Sequence, residues 1–287
     1  MMVCSAAGRI RRCSLLAVPL LALPPLVTVA PAAGAADEWP SSMRVNYEIS
    51  FNGFHIGSFE FASQAEQQSY SLIANARLSL LLGAFSWDGQ TRSFGMIAKE
   101  ATKPAAFTFD FKSSLKSGSL AMGFSDGAVT KITHLPPVPE NPAAIPLRED
   151  HLKGVVDPLS ALMILSRASP TKPCERRIPV FDGRERFDLL FSYKGEMKVT
   201  EQLASGQPAI AYLCKVRYLP IAGHKVDPET QFMAASDAIE VALRPIPAAN
   251  VLVPYHITIP TLLGPVSIVS KRVDIVSPGK PEIALLH

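Results

Sequence analysis

The chain has 287 residues, 48% of them hydrophobic and 18% charged, with 25 Pro, 17 Gly and 4 Cys. That is too apolar for a disordered protein. The formal charge of +3 belongs to the amino end: Arg9, Arg11 and Arg12 are the only charged residues before position 37, and the rest balances 25 basic against 25 acidic side chains. A body without net charge is poorly suited to nucleic acid or another polyanion, and neither basic-aromatic interleaving nor a glycine-rich phosphate loop appears.

Residues 1–36 read as a cleavable signal peptide. The three arginines form the positive n-region, Leu15 to Val29 is uncharged and apolar, and Ala33-Gly34-Ala35 gives a small-x-small cleavage pattern, with Gly34-Ala35-Ala36 one residue on. A membrane anchor is the alternative, but Pro19, Pro24 and Pro25 interrupt the stretch, which falls short of the roughly 20 residues needed to span. Neither Cys4 nor Cys13 sits in a lipoprotein cleavage pattern. No later segment has the length and apolarity of a transmembrane span, so a periplasmic protein is expected. Cleavage leaves Cys174 and Cys214, which in an oxidising compartment are expected to pair; two separate buried thiols are the alternative.

Period-two alternation dominates from position 37 to 276, predicting a single β-rich domain. Met43 to Phe51 alternates apolar and polar side chains, and Asn52-Gly53 follows as a hairpin turn. The next run starts with Phe54 and Ile56 in one phase and continues with Phe59 and Phe61 in the other, so a bulge is expected at Gly57. Further strands are predicted at 70–80, 90–98, 105–113, 119–124 and 128–134, with Asp126-Gly127 turning the last pair. Residues 135–148 hold five prolines and read as an extended connection. A helix is predicted at 157–167, with Asp157 as cap and Pro158 in its first turn. Leu159, Leu162, Met163 and Leu165 help make it apolar all round, which requires burial. A second β half follows at 184–193, 196–202, 209–219, 238–244, 251–259 and 265–276, and residues 277–287 read as a loosely held tail. The halves at 43–134 and 174–276 lack helices of their own. The predicted fold is therefore mainly β: one large curled antiparallel sheet, an open barrel or β-spiral, wrapped on a single buried helix.

Chemical motifs are sparse. Ser113 and Lys116 have Ser-x-x-Lys spacing but straddle a strand end and a turn, and the companion hydrolase elements are missing. The six histidines form no close pair, and no metal or cofactor motif is found. Asp182, Arg184 and Arg186 lie in a charged run before a strand, and Arg217 and His224 lie near Cys214 or in a turn. They read either as a polar patch for a carboxylate or phosphate or as a structural salt-bridge network. The inward face, with Met43, Val45, Tyr47, Phe54, Phe59, Phe61, Leu78, Leu80, Phe107, Phe109 and Phe111, makes either a filled core or a lipid-sized groove.

Several motifs together resemble the exported domain-of-unknown-function 3108 proteins. They are the run from Val155 to Leu162, Cys174, the runs Pro179 to Arg184 and Phe187 to Leu189, Cys214, and Tyr218 to His224. Tyr47 to Ser50, Gly53 and Ile56-Gly57 also fit. The resemblance spans about 43–275 and implies a β-rich periplasmic protein of a Gram-negative-type envelope with no established reaction. Its general shape is similar to that of curled-sheet lipoprotein carriers and β-spiral envelope-integrity factors. The expectation is a non-enzymatic envelope protein that binds a lipid or acyl ligand or an envelope protein. Alternatives are a hydrolase of an envelope polymer, in which Asp182, Arg184 and His224 would converge, or a structural scaffold with 135–148 as its docking segment.

Overall fold

In strand β1 (Ser42–Phe51), Met43, Val45, Tyr47 and Ile49 are buried while Arg44 is exposed, so the alternation becomes one wet and one dry face. The computed structural model describes residues 39–287 apart from 67, 81–82, 98–101, 140 and 168–171; the leader, with Cys4 and Cys13, lies outside the described residues. Asn52 and Gly53 both take positive φ, as a two-residue hairpin turn demands. Along β2 (Phe54–Glu66), Ile49 faces Gly57 while Ser50 faces His55, which leaves Ile56 as the extra residue of a bulge. The glycine is required there, since a Cβ would lie 2.0 Å from the Arg77 carbonyl oxygen. The bulge flips the strand's phase: Phe61 is buried, but Phe54 is 77% exposed, so Phe54 leaves the expected inward face.

The chain continues as a meander through β3 (Ser69–Leu80), β4 (Phe85–Ile97), β5 (Thr102–Ser113), β6 (Ser117–Ser125) and β7 (Ala128–Leu135). After the proline-rich segment come α1 (Pro158–Leu165), β8 (Arg176–Phe181), β9 (Arg186–Lys198), β10 (Ile210–Ala222), α2 (Pro228–Ala235), β11 (Ile239–Ile246), β12 (Val251–Ile259), β13 (Val266–Val276) and β14 (Ile283–Leu286). Among the described residues all fourteen strands belong to one antiparallel sheet, ordered β7-β6-β5-β4-β3-β2-β1-β13-β12-β11-β10-β9-β8, with β14 on β13. Pairing of β1 with β13 joins the two halves.

The sheet does not close; β7 and β8 are its ends. Residues 153–156 are stitched to both. Lys153 bridges Ala128, Gly154 N–H donates to Gly127 O at 2.8 Å, and Val156 exchanges hydrogen bonds with Pro179 and Phe181 at 3.0 Å. Helix α1 follows directly. Asp157 caps it through Leu159 N and Ser160 N, both at 3.0 Å. Leu159 and Met163 join an apolar cluster shared with β1–β3 and β5–β7, whereas Ala161 and Leu165 join one shared with β8–β12. Half-buried Leu162 packs against both clusters. A helix greasy on every side thus fills the concave face of the sheet.

Four expectations need correction. Strand β8 opens the second β half ahead of the first strand expected there, because Pro179 is tolerated on a terminal strand. The two strands expected at 184–193 and 196–202 are the single β9, whose Lys194 is an extra residue facing β10. A second helix, α2, is capped by Asp227 through Thr230 N and buries none of its residues, so it carries no apolar stripe to betray it. The tail is held: β14 pairs with β13, Leu285 is buried, and the His287 ring bonds Arg244 and Ser270.

Candidate functional site

At one mouth of the curled sheet the inner face is not covered by α1. Phe109 and Phe111 project there from β5, their rings 5.6 Å apart, with Trp87 6.2 Å from Phe109. Their neighbours on β6 are Leu120 and Gly118, and Leu120 in turn faces His134 on β7. A Cβ on Gly118 would approach the Phe111 ring at 2.9 Å, so its absence keeps the floor open. The mouth's far wall is the turn between β8 and β9. Asp182 Oδ1 accepts Arg184 N at 2.8 Å and Glu185 N at 2.7 Å, Gly183 packs on Leu120, and His134 Nε2 donates to Gly183 O at 3.1 Å.

The proline-rich segment crosses above as a strap. Its far end is tied to the turn after β10, where Ile145 N donates to His224 O at 2.9 Å and Gly223 N to Ile145 O at 2.7 Å. Between strap and sheet lies a cavity of about 730 Å³, bounded by Phe109, Phe111, Leu120 and Leu135, by Pro136, Pro137, Val138 and Pro139 of the strap, and by Lys116, Asp182, Arg184 and Lys225. The size falls in the roughly 300–1,000 Å³ range of small-molecule sites.

The expected polar patch is divided. Asp182 and Arg184 border the cavity. Arg186 instead turns inward, where it is buried and bonds Asp188 at 2.6 Å; Arg177 holds the other oxygen of that carboxylate. This half of the charged run is a structural ion-pair network. Arg217 is exposed, alternating with buried Val216 and standing apart from the network. His224 is buried, and its Nδ1 has no hydrogen-bond partner within the protein. It neighbours Glu185, whose carboxyl is pushed up by burial and by Asp182; Tyr218 OH donates to that carboxyl at 3.3 Å, and burial raises the Tyr218 phenol. Asp182 is thus occupied by backbone and borders the cavity with Arg184, whereas His224 is not on that lining. Ser113 and Lys116 form a turn in which Ser113 Oγ bonds the Lys116 carbonyl.

Two buried polar networks escaped the sequence reading. Asp157 Oδ2 accepts Ser93 Oγ at 2.9 Å and Ser160 Oγ at 2.5 Å, and Ser160 Oγ meets Tyr70 OH at 2.7 Å; burial raises the Asp157 carboxyl. Arg244, fully buried, ion-pairs Glu201 and donates to His287 Nε2 at 2.6 Å. Arg244, a charge within the apolar run Val241 to Ile246, was the available signal for the second. Among the described residues no group of three His, Cys, Asp or Glu is placed to hold a metal, and no helix is long and apolar enough to cross a membrane. Cys174 and Cys214 form a disulfide, both fully buried, with Cα atoms 5.4 Å apart.

No curated protein matches the sequence. Among solved structures, the crystal structure of a β-barrel-like protein of domain of unknown function DUF1849 from Brucella abortus aligns over 83% of this chain and 99% of that one, with a TM-score of 0.49 and 11% identity. Residues 46–266, most of the chain and spanning every motif named above, match the family described as Protein of unknown function (DUF3108), and the chain belongs to that family.

Proposed function

We propose that this protein is exported to the periplasm through its cleaved leader and serves the cell envelope there without catalysis, holding an apolar ligand in the cavity under the strap. The observation that carries the reading is the cavity itself: aromatic and aliphatic walls around about 730 Å³ beside an interior that α1 otherwise fills. An apolar chain entering it leaves water for a greasy wall, gaining about 25 cal/mol for each Å² it buries. The leader and a buried disulfide suit an oxidising compartment outside the cytosol. The non-catalytic part is supported by the place of His224, which is not on the lining that Asp182 and Arg184 share, so those three do not converge there.

Native mass spectrometry of protein purified from the periplasm, with analysis of the extracted lipid, tests this. One apolar molecule per chain is expected. It should be lost in Val138→Trp, which fills the cavity from the exposed strap without touching the core. A ligand-free wild type, or a Val138→Trp variant that keeps its lipid, would overturn the reading. In the second case the exposed prolines at 136–142 would stand instead as a docking segment for an envelope protein.

A further inference from the structure

We propose that the cavity selects a fatty acid: one alkyl chain against Phe109, Phe111 and Leu120, with its carboxylate held at the rim by Arg184 and Lys225. This inference rests on the cavity being a ligand site, and names what that site would take. Arg184 and Lys225 rise from two turns in direct contact, since a Cβ on Gly223 would fall 1.9 Å from the Arg184 carbonyl oxygen. Both side chains border the cavity, as does Lys116 from the turn between β5 and β6. Among the described residues none of the three is in an ion pair, although Arg184 feels Glu185 and Lys225 feels Asp227 at longer range. By contrast Arg44, Arg77, Arg148, Lys194, Lys215 and Arg272 all have carboxylate partners.

Among the described lining residues Asp182 is the one carboxylate, and its Oδ1 already accepts two backbone N–H groups. The described lining therefore offers greasy walls with three cations against one carboxylate. A guanidinium matches a carboxylate bidentately, and a nearby ammonium adds a point charge. Asp182 stands close enough to the rim to disfavour a doubly charged phosphate relative to a singly charged carboxylate. These charges are solvent-accessible, so their grip on the head should weaken with salt.

The test is calorimetric titration of delipidated full-length protein with decanoate, decyl phosphate, decanol and decyltrimethylammonium, each below its micelle concentration. Decanoate should bind tightest and decyltrimethylammonium weakest. Arg184→Gln combined with Lys225→Gln should weaken decanoate roughly tenfold, leave decanol unchanged and abolish the salt dependence. An unchanged melting temperature would show that the double variant folds. Equal binding of all four probes, or no effect of the double variant, overturns the fatty-acid inference while leaving the cavity as a ligand site. Tighter binding of decyl phosphate overturns the carboxylate in favour of a phosphate head. Failure of all four probes to bind removes both the inference and the reading beneath it.

Discussion

Helix α1 and the proline strap cover two stretches of the same concave sheet, and they do so in different ways. Beneath the helix, Leu159 and Met163 complete a cluster with Val45, Tyr47, Phe61 and Leu72, all of them buried. Beneath the strap, Phe109 and Phe111 stay only partly buried, and Leu135 and Val138 remain 61% and 39% exposed. Alternation along the strands is alike in both places. What differs is the covering element. A helix presents side chains around its circumference and packs densely, whereas a proline-rich strap paired at its far end through Ile145 bridges the sheet and leaves space. An alternating strand thus announces an apolar face and says nothing of whether that face is filled.

Substitutions can break this contrast, and the largest effect belongs to the helical side. Replacing both Cys174 and Cys214 by Ser reopens a loop of sequence separation 40 beside α1. The loss should be about 4 kcal/mol on chain entropy, read as a fall of roughly 10 °C in melting temperature. An unchanged melting curve would contradict the stabilising role. Met163→Ala leaves a cavity between helix and sheet and should cost about 3 kcal/mol by urea denaturation. Asp157→Ala removes the cap and strands Ser93 and Ser160, for a similar loss of about 3 kcal/mol. Under the strap, Leu135→Ser and Val138→Ser should each move stability by no more than about 0.5 kcal/mol while reducing any lipid that copurifies. Equal losses on the two sides would erase the distinction.

A further test concerns pH. Burial, and then the Arg244 guanidinium, lower His287 from 6.5 to about 4. The unfolded chain therefore takes up a proton that the folded one refuses, and stability falls as pH drops from about 6.5 toward 4. Burial lowers His256 in the same direction. Asp157, raised by burial, acts in the opposite sense, since the native carboxyl accepts a proton before an unfolded aspartate would. His287→Gln should flatten melting temperature between pH 6.5 and 4; an unaltered slope would show that the docked ring does not govern it.

Most strands were legible because a half-buried strand writes its two faces into alternate residues, and Asn52-Gly53 and Asp126-Gly127 mark their turns outright. Helix α1 was legible through Asp157, Pro158 and an unbroken apolar run. Strand β8 was not, since Arg176, Arg177 and Pro179 mask an edge strand, and β14 is too short to show a period. The cavity was half visible. Phe109 and Phe111 were marked as inward, and Asp182 and Arg184 as an unusual cluster, but the sequence does not show that the turn after β8 packs on Leu120. Lys116 and Lys225 had only their neighbours to recommend them. The division of Arg184 from Arg186 turns on Asp188, a charge fully buried between two arginines, which no local pattern reveals.

The seam between β1 and β13 has a consequence for how the molecule is made. Phe51 lies opposite Val266, and Ser42 opposite Val276. Each meander can zip by successive neighbours, yet the join between them needs strands more than 200 residues apart in sequence. Until then the first strand carries a bare edge, the kind of surface on which nascent chains stick to one another. One of the last strands to be made is thus the one that covers the edge left open by the first.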